Sequence, residues 1–377
     1  MKYKTLDDFN FKGKRVLLRS DLNSPVKKGK VIFNERIIES ARTIKELQKK
    51  RARVVIIAHQ GRKGDRDFTS LKQHSVLLGK FVKVKFVDDI LGKKALDAIE
   101  ELKNGETILL ENIRYLDEEM KPEKDNKIVK VLAPHFDIYV NDAFSVSHRA
   151  QTSIVSFPSL LPSAIGRLMQ HELESLEKIK IKDSLFVLGG KKIEEQLLFL
   201  NRKKIISGGT LGQLILISRG HNLGLQNKLL KNEMKYLLRL KKHKKILAPV
   251  DYAFLVNGKR KEFSLDEMPV NYEVMDIGRK TMEIYRGEIM KAKSILMKGP
   301  VGYCEDKKFR KGTAALLKAV ASSRAFSVLG GGHLTTVMRD IGLSQKNFDY
   351  VSLSGGAFDE YLAGKKLPGL EVLKMQK

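Results

Sequence analysis

Short, continuous apolar runs alternate along the chain with longer segments of helical periodicity. The runs lie at residues 15–20, 52–58, 83–87, 107–112, 137–144, 185–190, 204–209, 245–251, 294–300, 326–332 and 350–356. Because their apolarity is continuous, we expect strands that are covered on both faces. Between them lie amphipathic segments such as residues 34–50, where Ile37, Ala41, Ile44 and Leu47 share one helical face. The alternation predicts an α/β fold with parallel sheets.

The number of strands predicts two domains. About eleven strands are many for one doubly wound sheet. The segment 161–179 is a candidate connecting helix, with Pro162 in its first turn and an apolar stripe that includes Leu168 and Leu173. An ordinary surface helix is the alternative. We therefore predict an N-terminal domain over 1–160, a connecting helix over 161–180 and a second domain over 181–362.

Composition narrows the class of protein. Of 377 residues, 42% are hydrophobic, and Cys304 is the only cysteine. A single cysteine excludes an internal disulfide and suits a reducing compartment. The N-terminus has no apolar core typical of a secretory signal, and runs such as 54–58 are too short to span a bilayer. We expect a soluble, cytoplasmic protein with no membrane partner.

The formal net charge of +27 allows two interpretations. One is nucleic-acid binding, and the other is a lysine-rich, solvated surface. The charge is spread along the chain, and its densest run, residues 238–247, has no interleaved aromatic residues. This favours a solvated surface without a specific nucleic-acid site, although anionic substrates would be attracted in either case.

The ends of the predicted strands carry different chemistry in the two halves. In parallel sheets, ligands bind beyond the carboxyl ends of the strands. In the first half these ends carry or precede charged groups, among them Arg19, Asp21, Asn23, Arg36, His59, Arg62, Arg114, His148 and Arg149. Arginines suit bidentate binding of carboxylate and phosphate, although any single one is more often a surface residue.

In the second half the strand ends are rich in glycine. These are Gly189-Gly190, Gly208-Gly209, Gly299-Pro300, Gly330-Gly331-Gly332 and Gly355-Gly356. Glycine lets backbone N–H groups and helix N-termini approach a polyphosphate, although one pair alone is usually a tight turn. Neither the Walker nor the dinucleotide fingerprint occurs. His171 lacks the second histidine of a zinc helix, so no metal site is expected.

One half is therefore typical of a site for a small, multiply charged anion, and the other of a nucleotide site. Two such halves facing across a cleft indicate phosphoryl transfer, with domain closure that excludes water.

An ordered series of segments resembles the phosphoglycerate kinase family over essentially the whole chain. Among them are "LLRSDLNSPV", "NERI", "HQGR", "LLENIRY", "NDAFSVSHRAQTS", "VLGGKKI", "KGPVGYCE" and "GGGH". The stretch "HQGRKGDRDFTSLKQH" and the short chain most resemble the archaeal branch. The resemblance implies two Rossmann-like domains joined by a helix near 161–179, and a C-terminal tail, about 363–377, that packs back on the first domain.

The resemblance also implies a reaction and a set of site residues. The reaction is the reversible conversion of 1,3-bisphosphoglycerate and MgADP to 3-phosphoglycerate and MgATP, with Mg²⁺ carried by the nucleotide. We expect a monomer. The implied substrate residues are Asp21, Leu22, Asn23, Arg36, His59, Gln60, Gly61, Arg62, Arg114 and Arg149. The implied nucleotide residues are Gly189, Gly190, Lys192, Gly208, Gly209, Lys298, Pro300, Glu305, Gly331, Gly332, His333 and Leu334.

The reacting oxygens of this chemistry are already ionised, so no general base is required. The protein must place two anions in line and neutralise the moving phosphoryl group. We assign that role to Arg36 and Lys192. Glu305 is expected to bind the ribose, with a solvated carboxylate as its alternative.

Several positions of the nucleotide half depart from the family pattern. Lys191 replaces an alanine, Gln196 a lysine and Lys298 an asparagine; His333 and Leu334 stand where many members have Asp-Thr, and Leu353 and Ser354 stand at small or glycine positions. One hypothesis is that Lys298 supplies the cation lost at Gln196. The alternative is that Lys298 is solvated and the enzyme is impaired. A separate alternative for the function is a weakly active or inactive phosphoglycerate-kinase-like protein that acts as a basic nucleic-acid-binding protein.

If the positive charge is mainly solvated surface, binding to duplex DNA should be non-specific and sensitive to salt. Affinity should fall steeply between about 50 and 200 mM salt, because counterion release dominates such binding. A fluorescence titration of labelled duplexes at several salt concentrations measures this. Tight, sequence-selective binding at physiological salt would instead support the nucleic-acid alternative.

Overall fold

The computed structural model describes residues 3–123, 125–179 and 183–374. The chain divides into two compact units, Met1–Glu174 with Gly364–Lys377, and Ser175–Ala363. We call them unit 1 and unit 2. No helix in the described residues is both long enough and apolar enough to cross a membrane. The predicted domain limits at residues 160, 180 and 362 stay predictions.

Unit 1 is built on a six-stranded parallel sheet in the order β5-β6-β4-β1-β7-β8. Its strands are β1 (Arg15–Ser20), β4 (Arg53–Ile57), β5 (Lys85–Phe86), β6 (Thr107–Leu109), β7 (Ile138–Asp142) and β8 (Ser163–Ile165), and β2 (Val26–Lys27) pairs with β3 (Lys30–Val31) as a hairpin. The central strand β1 is flanked on both sides, with Leu17 opposite Val55 and Tyr139. Its continuous apolar sequence is explained by that position.

Helices cover the sheet of unit 1. They are α1 (Glu35–Lys49), α2 (Lys72–Leu78), α3 (Lys93–Glu100), α4 (Lys127–Leu132), α5 (Thr152–Val155) and α15 (Pro368–Glu371), with 3₁₀ turns at Ile113–Tyr115, Asp117–Met120, Ala133–His135, Phe144–Val146 and Phe157–Ser159. The side chain of Asn34 caps α1 by accepting from the Arg36 N–H at 2.9 Å. The apolar face of α1 packs into the core of unit 1. The Asn34 cap and this packing together fix the position of Arg36 in the first turn of the helix.

Unit 2 contains a five-stranded parallel sheet in the order β10-β9-β14-β15-β16. Its strands are β9 (Leu185–Leu188), β10 (Lys204–Ser207), β14 (Ser294–Lys298), β15 (Phe326–Gly330) and β16 (Tyr350–Ser352). A separate antiparallel sheet has the order β12-β11-β13, from β11 (Asp251–Val256), β12 (Lys259–Ser264) and β13 (Val274–Ile277). The predicted α/β class with parallel sheets is confirmed.

In unit 2 each strand of the parallel sheet is followed by a helix, and three more helices, α9 (Leu225–Leu229), α10 (Leu237–Lys241) and α11 (Arg279–Lys291), lie between β10 and β14 along the chain. The helices that follow the strands are α7 (Ile193–Gln196), α8 (Gly209–Ser218), α12 (Lys311–Ser322), α13 (Gly332–Asp340) and α14 (Gly355–Leu362). The 3₁₀ turns are Leu197–Phe199, Lys231–Tyr236, Leu265–Glu267, Lys307–Phe309 and Gln345–Asn347. Helix α6 (Arg167–Lys178) includes residues of both units.

Two predicted elements are wrong. The run 245–251 is not a strand, since only Leu247 forms an isolated bridge, with Ile206, and β11 begins at Asp251. Pro249 has no N–H to give to a ladder in that run. The predicted helix 161–179 begins only at Arg167, because Ser163–Ile165 pairs with β7 instead.

Residues 364–374 contact the loop that carries His148 and Arg149. The Gly369 N–H donates to the Ser147 carbonyl at 2.9 Å, and Tyr3 forms an antiparallel bridge with Lys374. A Cβ at Gly369 would lie 2.6 Å from Ile154 Cγ2 and 3.0 Å from Ser147 Cα. The tail therefore supports the backbone next to Arg149, a predicted substrate residue.

Gly369→Ala should lower the melting temperature, because overpacking at such a contact costs about 1–3 kcal/mol. Gly287→Ala is a matched control within α11, where an added Cβ meets nothing within 4 Å. It should stabilise the chain by roughly 0.5–1 kcal/mol, since alanine favours the helix. Calorimetry of the two variants measures both shifts, and an unchanged melting temperature for Gly369→Ala would contradict the tight contact.

Candidate functional site

The strand ends of unit 1 gather arginines around His59. Arg19 lies on β1, Arg114 follows β6, Arg149 follows β7, and Arg36 lies in the first turn of α1. Burial, followed by the charges of these four arginines, lowers the pKa of His59 well below its usual range. The charges act on one buried ring, so the convergence expected from parallel strand ends is present in the structure.

The contact with Arg19 fixes the tautomer of His59. The Arg19 Nη2 lies 3.0 Å from His59 Nδ1. A guanidinium can only donate, so Nδ1 accepts and the ring proton sits on Nε2. Since the pKa is lowered, the ring is neutral at ordinary pH. His59 therefore presents a neutral N–H donor rather than a cation.

A buried carboxylate that the sequence analysis missed supports Arg19. Arg19 Nε donates to Ser153 Oγ at 2.8 Å, and that hydroxyl donates to Glu119 Oε1 at 2.7 Å. The Ser153 N–H donates to Glu119 Oε2 at 2.9 Å. Burial raises the pKa of Glu119, and Arg19 opposes that rise. Glu119 lies in "LDEEM", an acidic stretch that carries no signal of a buried residue.

Arg114 has buried donors without partners. Its side chain is largely buried, and Nη1 donates to the Gly61 carbonyl. Its Nε and Nη2 are buried with no hydrogen-bond partner in the described part of the chain. Burial, together with Arg19 and Arg149, lowers the pKa of Arg114 to about 10. Unsatisfied donors on a buried cation are costly, and an anionic ligand would satisfy them.

Arg149 and Arg62 extend the positive charge toward solvent. Burial, and then the charge of Arg62, lowers the pKa of Arg149. The Arg149 Nε donates to His148 Nε2 at 3.2 Å, while Arg62 is exposed. The two residues belong to the same cluster as Arg114, whose pKa both of them also lower.

Asp21 and Asn23 hold neighbouring groups in place. Arg36 Nη1 donates to both carboxylate oxygens of Asp21, at 2.8 and 3.0 Å, and lies 3.4 Å from Ser145 Oγ. Asn23 Oδ1 accepts from the Gly61 N–H at 2.9 Å. Gly61 has φ +67°, and a Cβ there would lie 2.6 Å from the Asp67 backbone, so this close turn requires glycine.

Two predicted substrate residues have other roles for their side chains. Leu22 is fully buried in the core of unit 1. Gln60 is also fully buried, with Nε2 donating to the carbonyls of Ser24 and Asp67 and Oε1 accepting from the Ser24 N–H. Direct side-chain contact with substrate does not fit this geometry for either residue. We correct the prediction: both residues position the loop that carries Asp21 and Asn23.

In unit 2 the amides of four strand-end glycines donate to backbone carbonyls of neighbouring strands and turns. The N–H groups of Gly189, Gly190, Gly208 and Gly209 donate to the carbonyls of Lys298, Pro300, Leu188 and Val301 at 2.7–3.1 Å. A Cβ at Gly189 would lie 2.3 Å from the Pro300 oxygen. These four amides are already bonded, so the prediction that they donate to phosphate does not fit. Glycine is needed there because the strand ends pack closely.

Gln196 and Lys298 are both buried and both paired. Gln196 Nε2 donates to the Gly189 and Gly190 carbonyls at 2.9 and 3.1 Å. Lys298 Nζ lies 2.7 Å from Glu195 Oε2 and also donates to Asp359 Oδ2. The alternative of a solvated Lys298 is therefore wrong. Lys298 lies at the strand end with Glu195 and Asp359 as its partners, and its role as a replacement for the cation lost at Gln196 stays a prediction.

The carboxylates beside Lys298 differ in their surroundings. Burial raises the pKa of Asp359 to about 6, and Lys298 opposes that rise. Burial also opposes ionisation of Glu195, but its bonds to Lys298 and Lys192 lower the pKa. Lys192 Nζ lies 3.2 Å from Glu195 Oε1, and most of its side chain is exposed. Sequence reasoning missed both carboxylates, since neither follows a strand directly.

The remaining nucleotide residues lie near the start of α13. His333 Nε2 lies 3.6 Å from Glu305 Oε1, and both side chains are exposed. Gly331, with φ +117°, precedes the helix, and Gly332 begins it. Leu334 is fully buried, so its predicted nucleotide contact can involve only its backbone, which corrects the side-chain interpretation. Across the described residues, no three His, Cys, Asp or Glu side chains gather where they could hold a metal ion.

Comparison with known proteins decides the family. The family model described as "Phosphoglycerate kinase" matches residues 6–365. The chain belongs to the phosphoglycerate kinase family. The phosphoglycerate kinase of Methanothermus fervidus is 39% identical, over 99% of this chain and 97% of its own length. That of Sulfurisphaera tokodaii is 42% identical, over 98% of this chain and 95% of its own length.

Solved structures agree with this membership of the phosphoglycerate kinase family. The crystal structure of phosphoglycerate kinase from Pyrococcus horikoshii OT3 is similar with a TM-score of 0.89 at 36% identity, covering 98% of both chains. The phosphoglycerate kinase from Coxiella burnetii gives 0.82 at 30% identity, again covering 98% of both chains. The resemblance, the two-domain α/β fold and the enzyme class predicted from the motifs are confirmed. None of these comparisons favours the nucleic-acid alternative.

The site of unit 1 generates a prediction about pH. Asp142, the last residue of β7, is fully buried, and its Oδ1 accepts from the Met169 N–H at 3.0 Å. Burial, with a contribution from Asp21, raises its pKa to about 7. A raised folded-state pKa means that the stability contributed by the protonated carboxyl is complete below the unfolded pKa, about 4, and is lost as pH rises through 7.

Asp142→Asn should therefore stabilise the chain more at about pH 8 than at about pH 5, because it removes a buried charge. The expected change in the difference from wild type is at most about 3–4 kcal/mol. Thermal unfolding at the two pH values measures it. The exposed Asp125 gives the control Asp125→Asn, and equal effects of Asp142→Asn at both pH values would contradict the account.

Proposed function

We propose that this chain catalyses the reversible transfer of a phosphoryl group between 1,3-bisphosphoglycerate and MgADP, giving 3-phosphoglycerate and MgATP. The observation that carries the proposal is the arginine cluster of unit 1, above all the buried, unpartnered donors of Arg114. Such donors fit a small anion with both carboxylate and phosphate groups. Membership of the phosphoglycerate kinase family supports the same substrates.

The phosphoglycerate binds to unit 1 in this proposal. Arg62, Arg114 and Arg149 bind its phosphate, since the charges of Arg62 and Arg149 both lower the pKa of Arg114 and that of Arg62 also lowers the pKa of Arg149. His59 donates through Nε2, and Arg36 is oriented by Asp21. Asn23 and Gly61 shape the adjacent loop.

The nucleotide binds to unit 2 at the strand ends. Lys192 and Lys298 approach the phosphates, and Glu305 binds the ribose. Gly331, Gly332 and the backbone of residues 333 and 334 form the first turn of α13, where N–H groups suit an anion. Gly189, Gly190, Gly208, Gly209 and Pro300 supply a closely packed surface rather than donors. Mg²⁺ arrives as part of the nucleotide substrate.

The chemical step requires positioning and charge neutralisation. The attacking oxygen is the ionised carboxylate of 3-phosphoglycerate or a β-phosphate oxygen of ADP, so no residue has to remove a proton. A neutral His59 agrees with this, because it serves as a donor and not as a base. Arg36 and Lys192 neutralise the charge that moves between the two oxygens.

The cysteine content bears on the cellular compartment. A single, buried cysteine supports a reducing compartment, and we propose the cytoplasm. We also propose that the chain acts as a monomer and binds no specific nucleic acid.

A coupled assay tests the proposed function. Purified chain should form ADP only when ATP, Mg²⁺ and 3-phosphoglycerate are all present. ADP formation that ignores 3-phosphoglycerate, or no ADP formation in any combination, would reject the proposal.

Arg36→Ala should reduce kcat by on the order of a hundredfold or more at saturating substrates, because a contact made in the transition state is worth about 3–4 kcal/mol. Arg42→Ala is the matched control, since Arg42 lies on the same helix with an exposed side chain paired to Glu39. The control should retain wild-type turnover. Near-normal turnover of Arg36→Ala in the same assay would remove Arg36 from the chemical step.

A further inference from the structure

We propose that Glu195 is an internal counter-anion, which occupies Lys192 and Lys298 when no nucleotide is bound and is displaced from them by the nucleotide polyphosphate. The inference rests on the proposed nucleotide site of unit 2. It adds a group that limits nucleotide affinity, and it explains what the buried Lys298 does.

The first support is the geometry of a single bridging carboxylate. Glu195 Oε2 lies 2.7 Å from Lys298 Nζ, and Oε1 lies 3.2 Å from Lys192 Nζ. The two lysines come from different strand ends, Lys192 after β9 and Lys298 at the end of β14. Each oxygen of one carboxylate therefore faces one cation, and two oxygens of a phosphate group can replace that arrangement.

The second support is the unequal burial of the partners of Lys298. The Glu195 side chain is 33% exposed, whereas that of Asp359 is 2% exposed. Glu195 can rotate into water, whereas the buried Asp359 stays in contact with the Lys298 ammonium. Lys298 is itself 10% exposed, so it cannot leave the site with Glu195. Asp359 is then the positioning residue that keeps Lys298 in place.

The third support is charge balance. The two ammonium and two carboxylate groups sum to zero, so an arriving polyphosphate gains little attraction while Glu195 is in place. Once Glu195 rotates out, the three remaining groups carry one net positive charge. An uncompensated net positive charge at a partly buried site is unfavourable. Exchange of one anion for another avoids that state both before and after binding.

The backbone around Glu195 is fixed, which confines the change to one side chain. The neighbouring Gln196 donates to the carbonyls of Gly189 and Gly190 and so ties α7 to the strand-end turn. A lysine at position 196 would bring a third cation to this turn. The glutamine instead links helix α7 to the turn by hydrogen bonds and adds no charge. Release of Glu195 therefore needs only rotation about its side-chain bonds.

A purely structural ion pair makes the opposite prediction. If Glu195 only holds the lysines in place, its removal leaves nucleotide affinity unchanged or weakens it. If Glu195 competes with the polyphosphate, its removal strengthens binding, because the site no longer has to expel a bound anion.

The test is calorimetry on the full chain with Glu195→Gln, using MgADP, MgATP, AMP and inorganic tripolyphosphate as probes. Glutamine keeps the shape of the side chain and removes its charge. We expect MgADP to bind about three- to tenfold more tightly than to wild type, with a larger gain for MgATP and tripolyphosphate and almost none for AMP. Glu194→Gln is the matched control, since that carboxylate accepts from Tyr236 at 2.8 Å. The control should bind as wild type does.

Unchanged or weaker MgADP binding by Glu195→Gln would overturn the inference, provided that the wild type binds MgADP. Absence of MgADP binding by the wild type would overturn both the inference and the proposed function. Asp359→Asn is a second test variant. It should bind MgADP more weakly than wild type, because Lys298 loses the buried carboxylate that keeps it in place. Binding of 3-phosphoglycerate to unit 1 should be the same in every variant, which reports that the chain is folded.

Discussion

The site of unit 1 depends on one constraint, the burial of more positive than negative charge at the carboxyl edge of a parallel sheet. Arg19 and Arg114 are both buried there, and Glu119, reached through Ser153, offsets part of their charge. The same crowding keeps His59 neutral and lowers the pKa of Arg114. The fold tolerates this buried charge because strands β1, β6 and β7, which carry or precede the charged residues, are anchored by buried apolar side chains. In our proposal, an anionic substrate supplies the negative charge that balances these arginines.

In unit 2 the positive charge at the strand ends is balanced within the protein. Its two lysines already have carboxylate partners, and its glycine amides are bonded within the protein. Unit 1 therefore has buried Arg114 donors without a hydrogen-bond partner in the described residues. In our proposal, the lysines of unit 2 must instead exchange a carboxylate for a phosphate to bind a nucleotide. At the two departures from the family pattern, Gln196 hydrogen-bonds to the strand-end turn and Lys298 is paired with carboxylates. In our proposal, nucleotide binding to unit 2 therefore depends on competition between the Glu195 carboxylate and the polyphosphate.

The parallel strands and the residues at their carboxyl ends could be predicted from the sequence, because continuous apolar runs are typical of buried parallel strands. Run 15–20 coincides with β1, and the strand-end rule brought Arg36, Arg114 and Arg149 together. Long-range pairing could not be predicted in the same way. The polar strand β12 has no apolar signal, and residues 163–165 became a strand because β7 offered a partner. Glu119 and Asp359 were missed because burial of a carboxylate depends on residues distant in the chain.

The most direct test of the account concerns the buried guanidinium of Arg114. Its Nε–H can be followed by nitrogen-15 NMR during titration with 3-phosphoglycerate, and Arg114→Lys assigns the resonance. If the cluster is the anion site, the resonance should shift and its exchange with water should slow as 3-phosphoglycerate saturates, while MgADP leaves it unchanged. An Arg114 resonance that does not respond to saturating 3-phosphoglycerate, or that responds equally to MgADP, would contradict the account.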